Sequence, residues 1–132
     1  GFHYWWPKMF GRMYPETVSR VAWFFVFMGF NLLFLPQFWM GSNGMPRRYY
    51  NYPPQYEWAH KASTVGSWVL AIGFLIHTIA LIWSIKYGKK AESNPWNSKT
   101  LEWTVESPPT MHNFHETPVV TTFPYEYKSE KV

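Results

Sequence analysis

Arg47 and Arg48 stand side by side in the stretch Gly44-Met45-Pro46-Arg47-Arg48-Tyr49, between two long apolar runs that carry no Asp, Glu, Lys or Arg. A guanidinium presents its donors in a rigid fork that meets a carboxylate or a phosphate in bidentate fashion. At the mouth of a membrane hairpin, where water thins out, two adjacent guanidiniums need anionic partners. Two kinds of partner fit: lipid phosphate reached by snorkelling side chains, or the carboxylates of a bound group. In the second case an opposite charge within about 4–6 Å keeps the acid ionised.

Other residues invite chemistry less directly. Phe30, Leu33, Phe34 and Gln37 fall at i, i+3, i+4 and i+7, one face of a helix, which suits helix packing or the wall of a pocket. Asn31 is expected to hydrogen-bond a neighbouring helix, a contact worth about 0.6 kcal/mol in a membrane. His77 lies in the middle of the second apolar run and reads as a neutral, hydrogen-bonded side chain. His3, His60, His112 and His115 lie outside the runs, and none of the five reads as a metal ligand. There is no Cys, so disulfides, thiolate nucleophiles and thiolate ligands are excluded together.

These residues are positioned by two expected membrane spans. Residues 21–40 contain no charge, and twenty residues at 1.5 Å each cross about 30 Å of hydrocarbon. Pro36 falls inside this run and predicts a kink. Residues 63–85 form the second run, free of charge apart from His77. Mean hydropathy is only −0.27 because the ends are polar. Charged residues are 15% and aromatics 22%, the reverse of the usual soluble balance. Rings crowd the borders: Tyr4, Trp5 and Trp6 before the first run, Trp39, Tyr49, Tyr50, Tyr52, Tyr56 and Trp58 in the connection, Trp83 and Tyr87 at the end. A net charge of +4, scattered along the chain, gives no nucleic-acid footprint.

The expected organisation is a cytoplasmic-side loop over 1–20, a transmembrane helix over 21–41, and an outer loop with the Arg pair over 42–61. A second transmembrane helix over 62–87 and an extended cytoplasmic tail over 88–132 complete it. Lys8, Arg12, Arg20, Lys86, Lys89 and Lys90 flank the termini, against Arg47, Arg48 and Lys61 in the connection, so both termini are expected on the cytoplasmic side. The tail carries Pro95, Pro108, Pro109, Pro118 and Pro124 without helical periodicity, which suggests an arm laid over a partner. The start at Gly1, with no signal peptide, reads as a processed or internal beginning.

Several segments together resemble subunit I of the haem-copper oxidases. Phe2-His3-Tyr4-Trp5-Trp6-Pro7-Lys8-Met9 with Gly11-Arg12 is similar to the loop after that family's tenth helix. Gly29-Phe30-Asn31 through Phe34-Leu35-Pro36-Gln37 is similar to its eleventh, and Gly44 to Tyr49 with Tyr52-Pro53 to the following outer loop. Asn94-Pro95-Trp96, Leu101-Glu102-Trp103, Ser107-Pro108-Pro109 and His112-Asn113-Phe114 resemble the tail of bacterial members. The resemblance covers the last two of twelve helices, which carry none of the metal ligands. No His-x-His occurs here.

The resemblance implies an all-α membrane fold, a two-helix transmembrane hairpin that completes a twelve-helix bundle. It implies the C-terminal part of the catalytic subunit of a proton-pumping cytochrome c oxidase in the bacterial inner membrane. Arg47 and Arg48 would bind the propionates of haem a and haem a3. Phe30, Leu33, Phe34 and Gln37 would wall the haem a pocket, although Leu33 replaces a Thr found in some members. The haem ligands and copper centres would lie elsewhere. The implied partners are the remainder of subunit I, subunits II and III, cytochrome c and the lipid bilayer. The Tyr50 backbone falls where some relatives bind sodium or calcium, but Asn51 stands where some carry Asp, which weakens such a site. Two other readings stay open: a quinol oxidase with the same role for this chain, and a two-span accessory or assembly protein without redox chemistry.

Overall fold

The computed structural model describes residues 1–120, and its regular structure is helical: α1 over Phe2–Phe10, α2 over Glu16–Ser42 and α3 over Glu57–Tyr87, with short 3-10 turns at Pro54–Tyr56 and Leu101–Trp103. Among the described residues there is no strand, only an isolated bridge between Arg12 and Lys90. Contacts divide the chain into two units. One holds Gly1–Tyr14 with residues 82–120, the other Pro15–Leu81.

In the second unit α2 and α3 form an antiparallel hairpin. Gly29 abuts the Leu70 backbone, Gly66 the Leu33 backbone and Gly73 the Val26 backbone. Glycine is needed there because a Cβ would enter the facing main chain. At Gly73 it would lie 2.7 Å from Val26 N. Close approach of this kind is how helices associate in lipid, where apolar burial gives no driving force. Ser63 Oγ donates to Leu33 O across the same contact at 3.0 Å. α2 continues through Pro36 to Ser42.

Both helices are longer than the apolar runs, beginning at Glu16 and Glu57. Their first turns carry the pairs Glu16–Arg20 and Glu57–Lys61, each at i, i+4. Only 17% and 22% of their most apolar stretches is buried within the chain. Large side chains such as Trp23 (63% exposed) and Phe38 (78%) point outward. Exposure on that scale is untenable in water and natural in a bilayer or against other membrane helices. The hairpin is a transmembrane one.

In the other unit the start of the chain is helical where a loop was expected. Residues 2–10 are the helix α1, closed at Gly11 in the left-handed conformation (φ 62°), whose N–H bonds Pro7 O at 2.8 Å. A Cβ at Gly11 would strike Pro108. The described part of the tail lies on α1 and the last turn of α3. Trp103 is 1% exposed, and its Nε1 donates to Tyr4 Oη at 2.8 Å. Trp96 Nε1 donates to Tyr4 O at 2.8 Å, and Trp6 Nε1 to Ser84 Oγ at 2.7 Å. Met13 N–H bonds Lys89 O and Ala91 N–H bonds Gly11 O, which ties both ends of this unit together. The expected tail residues 121–132 lie outside the described part.

A candidate anion groove at the helix connection

The connection between α2 and α3 is built on a small core. Met40, Tyr56 and Ala59 are buried together, with Met45 and Tyr52 packed against them. Asn43 Nδ2 closes the end of α2 on Trp39 O at 2.8 Å, and Tyr56 Oη donates to Asn43 O at 2.7 Å. Gly44 takes φ 85°, a conformation that side chains rarely adopt, and lets the chain turn so that Met45 N–H bonds Met40 O. Arg48 is also left-handed, at φ 55°. After it the chain returns to α3, where Tyr52 and Tyr49 pack on His60 with ring centroids 4.0 and 5.4 Å away.

This turn leaves a groove of about 840 Å³ whose lining includes Arg47, Arg48, Tyr49, Phe34, Gln37 and His60. Both guanidiniums are exposed, and among the described residues neither has a carboxylate partner. The anionic partner that the sequence demands for them is therefore not supplied by this chain's described part. A groove with an apolar wall, one amide and two fork-shaped cations suits an amphipathic anion, one with an apolar body and carboxylate or phosphate oxygens.

The sequence-derived wall residues divide. Phe34 and Gln37 line the groove with the Arg pair. Phe30 is one turn further along, its ring 4.6 Å from that of Phe34 and not on the groove. Leu33 belongs to the helix contact, with its backbone against Gly66 and its carbonyl on Ser63. Asn31 departs from the expected interhelical bond. Its Nδ2 donates to Phe27 O of its own helix at 2.8 Å, the local alternative always open to a short amide. Tyr50 is fully exposed, and the Asn51 side chain is engaged with the Tyr52 N–H at 2.9 Å. Among the described residues no group of three His, Cys, Asp or Glu side chains gathers.

Two side chains make contacts that their sequence positions did not foretell. His60 belongs to the groove although it is thirteen residues past Arg47. Lys8 is 7% exposed and donates to three carbonyls of the tail, Ser93 O at 3.1 Å, Val105 O at 2.7 Å and Glu106 O at 3.2 Å. Its Nζ also lies 5.0 Å from the centre of the Trp103 ring. Burial pushes this ammonium below its ordinary value, and Glu102 opposes the shift. The only signal for Lys8 in the sequence is a cation inside an aromatic helix.

Fold and groove together define a segment of an integral membrane protein that presents paired cations at the end of a helical hairpin. The family model described as cytochrome c and quinol oxidase polypeptide I matches residues 1–76. The chain is 42% identical over 131 residues to cytochrome c oxidase subunit 1 of Thermostichus vulcanus, covering 99% of this chain and 24% of that one. It is 41% identical over 123 residues to cytochrome c oxidase subunit 1 of Bacillus sp. strain PS3, with 91% and 20% covered. Against the haem-copper oxidase subunit I+III of Aeropyrum pernix it is 40% identical over 121 residues, with 91% and 15% covered. The chain belongs to the haem-copper oxidase subunit I family, and it spans a quarter or less of the length of these relatives.

Proposed function

We propose that this chain is the C-terminal part of the catalytic subunit of a proton-pumping cytochrome c oxidase. In this reading Arg47 and Arg48 hold the propionates of haem a and haem a3, and Phe34 and Gln37, backed by Phe30 and Leu33, wall the haem a pocket. The observation that carries it is the pair of guanidiniums, without a carboxylate partner among the described residues, on a groove of about 840 Å³ that they share with Phe34 and Gln37. The chemistry of that lining fits a haem edge, and the haem and copper groups, bound elsewhere in the subunit, would supply electron transfer to oxygen.

The part played by this chain's own residues is electrostatic and steric. Two fixed cations keep the propionates ionised. They also favour an added electron, because a positive charge at about 10 Å in an effective dielectric near 20 contributes of order 1–2 kcal/mol. The apolar wall excludes water and so keeps that field from being screened. The two spans would complete a bundle with the remainder of subunit I, beside subunits II and III in a bacterial inner membrane. The basic flanks support a topology with both termini on the cytoplasmic side and the Arg pair on the outer side. A quinol donor fits the same family description; a copper-bearing second subunit in the complex would decide for cytochrome c.

The test is a reduced-minus-oxidised spectrum of the complex purified through this chain, with mass spectrometry of its partners. Haem a absorption and a companion stretch of about ten spans are expected. Arg47→Ala should then lower the haem midpoint potentials by the equivalent of about 1 kcal/mol. A haem-free preparation with unrelated partners would return the chain to an accessory or assembly role. Unchanged potentials in an assembled variant would remove the propionate role of Arg47.

A further inference from the structure

The groove holds one group that the foregoing reading does not use. His60 lies in the first turn of α3 and lines the groove beside Arg47, Arg48 and Tyr49. Its ring is fixed against Tyr52 and Tyr49. Its Nε2 is buried in this structure and, among the described residues, has no hydrogen-bond partner. An unpaired buried polar atom costs about 1–3 kcal/mol, and imidazole is the side chain whose charge changes nearest to neutral pH.

The charged surroundings of His60 are one-sided. On its own helix Glu57 and Lys61 pair with each other at 2.7 Å and largely cancel. The connecting loop brings Arg47 and Arg48, with the neutral phenols Tyr49 and Tyr52. From α2 the groove receives Phe34, Gln37, Phe38, Met40, Gly41 and Ser42, none of which titrates. An anion held by Arg47 and Arg48 in this groove would offer an imidazolium at His60 a counter-charge.

We propose that His60 is the proton-taking member of this anion site: a group bearing anionic oxygens, carboxylate or phosphate, is held by Arg47 and Arg48 together with a proton that passes from solvent to His60. No other bond forms or breaks. By reciprocity, protonation of His60 raises affinity for the anion by the same factor as the anion raises affinity for the proton. This rests on the reading of Arg47 and Arg48 as an anion site and extends it to a pH dependence.

The experiment uses the complete membrane protein that carries this chain, in detergent, as parent, His60→Asn and Arg47→Ala, with His60→Gln in reserve should the Asn variant fail to assemble. Two readouts separate the two sources of anionic oxygen, each taken near pH 6 and near pH 8, on either side of an ordinary imidazole. One is the midpoint potential of the haem bands; the other is the rise in thermal stability on adding phosphatidylglycerol in place of phosphatidylcholine. In the parent one readout should depend on pH, by at most tenfold in affinity per pH unit. His60→Asn should hold the readout at both pH values where the parent stands near pH 8, and Arg47→Ala should weaken it at both.

A flattened haem dependence identifies the propionates as the source and supports both readings. A flattened phosphatidylglycerol dependence with unaltered haem behaviour keeps the role of His60 and removes the propionates. If His60→Asn leaves the pH dependence of both readouts as in the parent, the proposal is overturned, whatever Arg47→Ala does.

Discussion

Lys8 shows how much one side chain can hold at the residue scale. Its ammonium is wrapped by the carbonyls of Ser93, Val105 and Glu106, residues that have no regular secondary structure to satisfy them otherwise. Lys8→Met keeps the packing length on Trp103 but takes the charged donor from three carbonyls, of which Ser93 O keeps a bond from Ser107 Oγ at 3.3 Å. Hydrogen bonds to charged groups contribute about 1.5–3 kcal/mol each, so the variant should loosen the tail by several kcal/mol. Trypsin should then cleave at the exposed Lys99 much faster in the variant than in the parent; equal rates would show that the aromatic contacts suffice. The buried ammonium also sets a pH dependence. Its pKa is lowered in the fold, so between that value and the ordinary 10.5 the unfolded chain binds the proton and the folded one does not. Stability therefore gains a contribution as pH rises through that window. Thermal unfolding followed across it should show this rise in the parent and lose it in Lys8→Met.

At the scale of the element, the hairpin depends on three glycines that bring the α2 and α3 backbones together. A side chain at Gly66 would run into Leu32 and Leu33 main-chain atoms, which cannot yield as the end of a flexible side chain can. Gly66→Leu should separate the helices, at a cost in the upper range of overpacking, about 3 kcal/mol or more. Gly41, in the same helix as Gly29, is the control: a Cβ there meets nothing within 4 Å. Gly41→Ala should be neutral or stabilise by up to about 1 kcal/mol through helix propensity. Thermal unfolding of the detergent-solubilised protein compares the two, and equal effects would contradict glycine-mediated packing. Polarity alone does not explain the ends of these helices. The apolar runs gave starts near 21 and 62, whereas the Glu16–Arg20 and Glu57–Lys61 pairs add a solvated turn to each.

For the whole molecule, the proposed sidedness can be examined by placing a Cys at either end of the hairpin, with the unsubstituted protein as background, since this chain has no Cys of its own. In the assembled protein in sealed cells, Asn51→Cys should react with an impermeant thiol reagent from outside, and Lys90→Cys only after the membrane is opened. The opposite pattern would invert the hairpin. The sequence by itself determined that the chain crosses a membrane twice and to which family it belongs. Those properties follow from the length of uncharged runs and from ordered local motifs, both written along the chain. It also singled out Arg47 and Arg48, because two adjacent cations beside hydrocarbon demand partners wherever the chain folds. What only the tertiary structure decided is which residues share a surface. It put Phe34 and Gln37 on the groove of the Arg pair and gave Leu33 to the helix contact, although helical spacing places all three on one face. It brought His60 to the same groove and laid residues 93–106 over Lys8. Such juxtapositions depend on backbone approach at glycines and on left-handed turns at Gly11, Gly44 and Arg48, which are properties of three-dimensional packing that no residue spacing encodes.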